Sequence, residues 1–280
     1  MEGGALGQGG GLDAGALRAA LPGWQVVYVE RLGSTNDEAR RLAAEGAPDR
    51  TVVLAEEQTA GRGRRGARWV SPPGRNGLVS VLCRPGAALP PEGWSRLTLA
   101  AALAGADALD AVPGLSARAE VKWPNDLYLS GRKVAGILVE SAWASAGGHV
   151  VVGTGFNLNL APGDFPEDLR ASATSVWMER GGLPVDRTDF LIGYLRALEG
   201  RIAQAGEDFA GMRREAWGRS WLADRRVSLT AAGQVLEGVV CGLGPGGELL
   251  LRRDGGAVES IASADGVRPL GEAAGPRGAA

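Results

Sequence analysis

Residues 58–69 read Gln-Thr-Ala-Gly-Arg-Gly-Arg-Arg-Gly-Ala-Arg-Trp, with Gly61, Gly63 and Gly66 set among Arg62, Arg64, Arg65 and Arg68. No apolar periodicity runs through this stretch, so neither a helix nor a strand can bury it. It must be a surface loop, carried by the elements that flank it. Glycine permits positive φ and close backbone approach. Arginine offers a planar, permanently charged fork that suits carboxylate or phosphate. Taken alone, a solvated basic loop and an anion-binding loop explain the stretch equally well.

The flanking pattern is that of strands with helices between them. Strands are expected over residues 24–30, 51–56, 78–83, 118–123 and 150–160. A hairpin joins 127–129 to 134–140 around Ser130, Gly131 and Arg132. Helices are expected over 34–45, where Ser34 or Thr35 can cap the start, and over 94–109, 186–204 and 207–221. From Arg225 the texture changes to short strands at 227–229, 235–241, 247–252 and 258–261, joined by glycine turns. This predicts an α+β fold, a mixed sheet covered by helices, followed by a small barrel. The expected division is a glycine-rich disordered tail over 1–22, a catalytic domain over 23–222, the small domain over 223–271 and a tail over 272–280.

Composition narrows the chemistry. The net charge is −2 over 280 residues, so the arginine loop is a local feature that suits a small anionic ligand better than a polynucleotide. No apolar run approaches the roughly 18 residues of a membrane span, and the start lacks a signal-peptide pattern. Cys83 and Cys241 sit in strand-like contexts and read as buried hydrophobes. A cytoplasmic protein without membrane or DNA contact is expected. The only histidine, His149, falls in a polar turn and reads as a surface residue, which argues against histidine triads and zinc sites. Of 30 Lys plus Arg, only Lys122 and Lys133 are lysine. Both stand near polar motifs.

Three motifs accompany the loop. In Lys122-Trp123-Pro124-Asn125-Asp126, Pro124 fixes a turn, and Asn125 with Asp126 serves either as an ordinary turn or as a nucleotide contact beside a metal–phosphate group. Lys133 is a mobile point charge, with Gly136 leaving room nearby. Gly153-Thr154-Gly155-Phe156-Asn157 places glycines inside an apolar strand, a sign of a bulge or close backbone approach. Cations and carboxamides abound, and a Ser, Cys or His nucleophile with its base is missing. That suits transfer of a substrate's own carboxylate onto the α-phosphate of ATP, which needs positioning and charge neutralisation.

These residues, in this order and spacing, resemble the biotin protein ligases, or biotin–[acetyl-CoA-carboxylase] ligases. The matching segments are Ser34-Thr35-Asn36, the loop from Glu57 to Gly66, Lys122 to Asp126, Gly131 to Glu140, and Gly153 to Asn157. The resemblance implies a biotin/lipoate ligase-like catalytic domain followed by an SH3-like β-barrel. It implies that biotin and Mg2+-ATP give biotinyl-5'-AMP, and that biotin then passes to a lysine of the biotin carboxyl carrier protein of a carboxylase. By that pattern Ser34, Thr35, Asn36, Gln58, Gly61, Gly63, Gly136 and Leu138 contact biotin. Arg62, Arg64 and Lys133 serve both biotin and ATP, with Lys133 central to catalysis. Trp69, Asn125 and Asn157 serve the adenine end. Asp126 is a candidate for the metal or for the incoming amine. Some relatives carry an N-terminal winged helix, and a form without that DNA-binding domain is expected here; some relatives dimerise. Where those relatives have a basic residue after the loop's last glycine, this chain has Ala67. The alternatives are a lipoate or octanoate ligase, a nucleic-acid-binding Arg/Gly module, and an inactive scaffold.

Overall fold

The computed structural model describes residues 11–144 and 147–271. Seven strands form one mixed sheet in the order β1-β2-β3-β7-β6-β5-β4. They are β1 (Gln25–Leu32), β2 (Thr51–Gln58), β3 (Gly77–Cys83), β4 (Glu120–Lys122), β5 (Asp126–Leu129), β6 (Arg132–Ala144) and β7 (Gly147–Phe156). Only β1 and β2 run parallel, joined through helix α2 (Thr35–Ala44); the remaining pairs are antiparallel.

Strand periodicity sorts the side chains onto two faces. Val53, Leu82 and Val151 pack with Ala39 and Ala43 of α2 on one face. Val52, Leu54, Val79, Val81, Val150 and Val152 face the larger core on the other. That core is closed by α1 (Ala14–Ala20), α3 (Arg96–Asp110), α5 (Arg187–Glu207) and α6 (Phe209–Gly218), with α4 (Val176–Glu179) a single turn. α3 lies close on the sheet because Gly105 has no side chain: a Cβ there would stand 2.6 Å from Leu127 Cδ1.

Five antiparallel strands follow: β8 (Arg226–Ala231), β9 (Gln234–Leu243), β10 (Leu249–Arg252), β11 (Val258–Ile261) and β12 (Asp265–Pro269). Their order is β11-β10-β9-β8-β12, which leaves β11 and β12 as two open edges. The expected barrel is therefore corrected to an open sheet. A barrel fills its interior with its own side chains. Here Val227, Leu229, Val240, Leu249, Leu251 and Ile261 pack instead on Trp123 and Leu222 of the first unit, with Trp217 and Trp221 alongside. The sheet needs no closure because its neighbour covers it.

Three smaller expectations change. Within the segment expected as a tail over 1–22, α1 forms, and Leu12, Leu17 and Leu21 are buried; residues 1–10 and 272–280 lie outside the described residues. His149 is buried rather than on the surface, because its turn continues into β7. Burial, and secondly the Arg84 guanidinium, hold its pKa below the ordinary imidazole value, so it is neutral at neutral pH. Ser34 precedes α2 but makes no side-chain cap bond.

Candidate active site

A cleft of about 360 Å3 opens where the ends of β1 and β2, the start of α2, the middle of β6 and β7, and the β4–β5 turn converge. Residues 264–267 of the second sheet line one side. The inner end is a polar cluster. Thr35 donates from both its backbone N–H (2.8 Å) and its hydroxyl (3.0 Å) to Gln58 Oε1. Asn36 Nδ2 donates to Glu140 Oε2 at 2.7 Å and to the Leu138 carbonyl at 3.3 Å. The Ser80 hydroxyl lies 2.6 Å from Asn36 Oδ1 and 2.7 Å from Thr35 Oγ1. Ser80 is one polar side chain in a wholly buried strand, and that oddity was the sequence signal for it.

The middle of the cleft has a glycine floor. Gly136 and Gly155 are register partners on β6 and β7, and the Trp69 indole lies on them. A Cβ at Gly155 would be 2.6 Å from Trp69 Cε2, and one at Gly136 would be 3.0 Å from Cζ3. Trp69 Nε1 is buried with no hydrogen-bond partner. A buried N–H left unpaired is costly, so this one is available to a ligand. Lys133 Nζ stands 5.7 Å above the same ring and 2.6 Å from Asp126 Oδ1.

The arginine loop closes the cleft with partners already in hand. Arg62 makes a two-pronged contact to Asp37 of α2, both distances 2.7 Å. The hydrogen bond from Arg62, aided by Arg40, holds Asp37 below the usual carboxylate pKa. Arg64 donates to Ser263 Oγ at 2.9 Å and to the Ala264 carbonyl, and Arg65 pairs with Asp265. Burial, then Arg65, lower the Arg64 pKa, while Asp126 opposes. Gly61 anchors the loop base: a Cβ would be 2.8 Å from the Trp69 carbonyl oxygen.

Most of the predicted residues converge. Ser34, Thr35, Asn36, Gln58, Arg62, Gly63, Arg64, Trp69, Asn125, Asp126, Lys133, Gly136 and Leu138 all line the cleft. Gly61 is structural behind it. Asn157 does not join them: it is buried and its Nδ2 donates to the Thr174 carbonyl at 3.1 Å. Asn125 lines the cleft with its Nδ2 engaged by the Ile137 carbonyl at 2.7 Å. Trp123, across a cis bond to Pro124, donates from Nε1 to the Gly247 carbonyl at 3.0 Å, tying the turn to the second sheet. Residues missed from the sequence are Asp37, Ser80 and the 264–267 segment; Lys122, singled out there as one of two lysines without a role, lines the cleft too. Among the described residues no group of three or more His, Cys, Asp or Glu could hold a metal, so a resident all-protein metal site does not fit.

The chain is similar to known proteins over the same elements. The family described as "Biotin/lipoate A/B protein ligase family" matches residues 28–157. The biotin–[acetyl-CoA-carboxylase] ligase of Mycobacterium tuberculosis is 40% identical over 202 residues, covering 69% of this chain and 71% of that protein. The bifunctional ligase/repressor BirA of Bacillus subtilis is 36% identical over 186 residues, covering 66% of this chain. The chain spans 56% of the length of that repressor. Biotin protein ligase from Aquifex aeolicus, solved in complex with biotin and ATP, aligns with a TM-score of 0.75 at 25% identity, covering 88% of this chain and 99% of that one.

Proposed function

This chain belongs to the biotin/lipoate A/B protein ligase family, and on that premise we propose that it joins biotin to ATP as biotinyl-5'-AMP and passes the biotinyl group to a lysine of a biotin carboxyl carrier protein. The observation that carries the reading is the pairing of two unlike ends in one cleft. The inner end offers Thr35, Asn36 and Gln58, held from behind by Ser80, donors and acceptors that match the N–H groups and carbonyl of a ureido ring. The outer end offers Lys133, Arg62 and Arg64, with Asp126 paired to Lys133 and Asp265 at the opposite wall. A dithiolane or an alkyl tail has no N–H or carbonyl to exchange with these groups, so a site built to hydrogen-bond a ureido ring discriminates against it.

In this mechanism the substrate carboxylate is the nucleophile. Lys133 moves from Asp126 to bridge the biotin carboxylate and the α-phosphate, following charge as it develops. Arg62 exchanges Asp37 for phosphate oxygens, and Arg64 remains over the adenylate. Asp126, released by Lys133, faces the incoming lysine amine and takes its proton. Magnesium enters with ATP as part of the substrate, in keeping with an ion bound through phosphates and few carboxylates. Residues 23–222 form the catalytic unit, and 223–271 supply its outer wall.

Exchange of labelled pyrophosphate into ATP tests the first step. Biotin is expected to support exchange, and lipoate or octanoate to leave it at background. Exchange with lipoate and none with biotin would overturn the substrate assignment.

A further inference from the structure

Lys122 and Lys133 are the only two lysines in 280 residues, and both line the one cleft. On the functional reading above, that cleft makes an acyl phosphate anhydride, which acylates neutral amines. Arginine, always protonated, is inert to it. A chain in which arginine stands in for lysine elsewhere therefore gives escaped adenylate no other lysine to modify. The two cleft lysines differ in what holds them. Lys133 is ion-paired with Asp126 at 2.6 Å, and an amine so engaged is not free to attack. Lys122 sits opposite Asp126 across the β4–β5 pair, but its hydrogen bond goes to the Tyr128 hydroxyl at 2.9 Å. The Tyr128 and Trp221 rings lie 5.1 and 5.7 Å from its Nζ and favour the charged amine. Burial acts the other way and prevails, lowering its pKa, with Asp126 opposing.

We propose that Lys122 is a self-modification site: in the absence of an acceptor protein, the chain biotinylates its own Lys122, and this is the lysine at which it does so. The deprotonated fraction of Nζ, the only form with a lone pair, attacks the acyl carbon of biotinyl-AMP. The amide C–N bond forms, the acyl C–O bond to phosphate breaks, AMP leaves with the electron pair, and the amine proton passes to water. The product fills the cleft with a tethered biotin and so arrests the enzyme. This proposal rests on the adenylation reading, but the two fail separately.

The test is peptide mapping by mass spectrometry of the full chain after incubation without acceptor, once with biotin and Mg-ATP and once with chemically prepared biotinyl-AMP. One biotinyl group is expected on Lys122 in both. Labelling of Lys122 over Lys133 should be about tenfold or more in the native chain, since the ion-paired amine is protected. It should be near equal in the guanidinium-unfolded chain given biotinyl-AMP. Labelling with prepared adenylate but none with biotin and ATP would support the site and refute the adenylation reading. Pyrophosphate release with no adduct, or with the adduct on Lys133 or the α-amine, would overturn the proposal and leave adenylation standing.

Discussion

Gly153 shows how much a missing side chain does in this site. A Cβ there would overlap Asn36 Oδ1, and Asn36 is pinned by Ser80, Glu140 and the Leu138 carbonyl. Gly153→Ala is therefore expected to displace the Asn36 amide and weaken biotin binding while the fold persists. Losing one such buried hydrogen-bonded group costs about 1–3 kcal/mol, or roughly five- to 150-fold in affinity. Titration calorimetry with biotin checks it, and unchanged affinity would remove Asn36 from the biotin end. The glycines at 136, 153 and 155 were readable as close-approach positions from the sequence. What approaches them was not: it is the chain's own Trp69 and Asn36, brought from distant segments. Asn157 failed for the same reason, since an asparagine after a glycine-rich strand looks equally like a ligand contact and like the tie to Thr174 that it makes.

At the scale of elements, the β4–β5 turn joins the two sheets. Trp123 is buried, packs in the core of the second sheet and donates to the Gly247 carbonyl. Trp123→Ala is expected to cost about 3–5 kcal/mol. Hydrogen exchange should rise across β8 to β12 before the first sheet opens; uniform exchange would show that the turn is not the tether. Strand and helix positions were legible from period and punctuation. Single turns such as α4 were not, because they carry too few residues for a period. β12 was missed because Asp265 and Gly266 interrupt its alternation. The barrel expectation failed at a different level: short strands with glycine turns show a twisted sheet, but whether it closes depends on what covers it, here Leu222 just before β8 and Trp123, which is three strands earlier in the chain.

Across the whole molecule, acid–base pairs hold helix to helix. Arg201 bridges Asp107 of α3 and Glu215 of α6 at 2.7 and 2.6 Å. The hydrogen bond from Arg201 outweighs burial and lowers the Glu215 pKa from 4.5. A carboxylate whose folded pKa is depressed stabilises the fold fully above its unfolded value, and loses that contribution as pH falls through the folded value. The melting temperature should fall from about pH 5 downward, and Glu215→Gln should flatten part of that fall. An identical slope in the variant would dismiss the bridge as a source of stability.

Biotinylation of a carrier domain is the most direct readout of the proposed function. A purified biotin carboxyl carrier domain incubated with this protein, biotin and Mg-ATP, then weighed by intact mass spectrometry, should gain a single biotinyl group on one lysine. With Lys133→Ala the gain should fall by about 10²–10³-fold, the loss expected when a charge-stabilising donor is removed, while the variant's circular dichroism stays that of the parent. A carrier domain that gains no biotin from the wild-type protein, or gains it equally from the Lys133→Ala variant, would contradict that function.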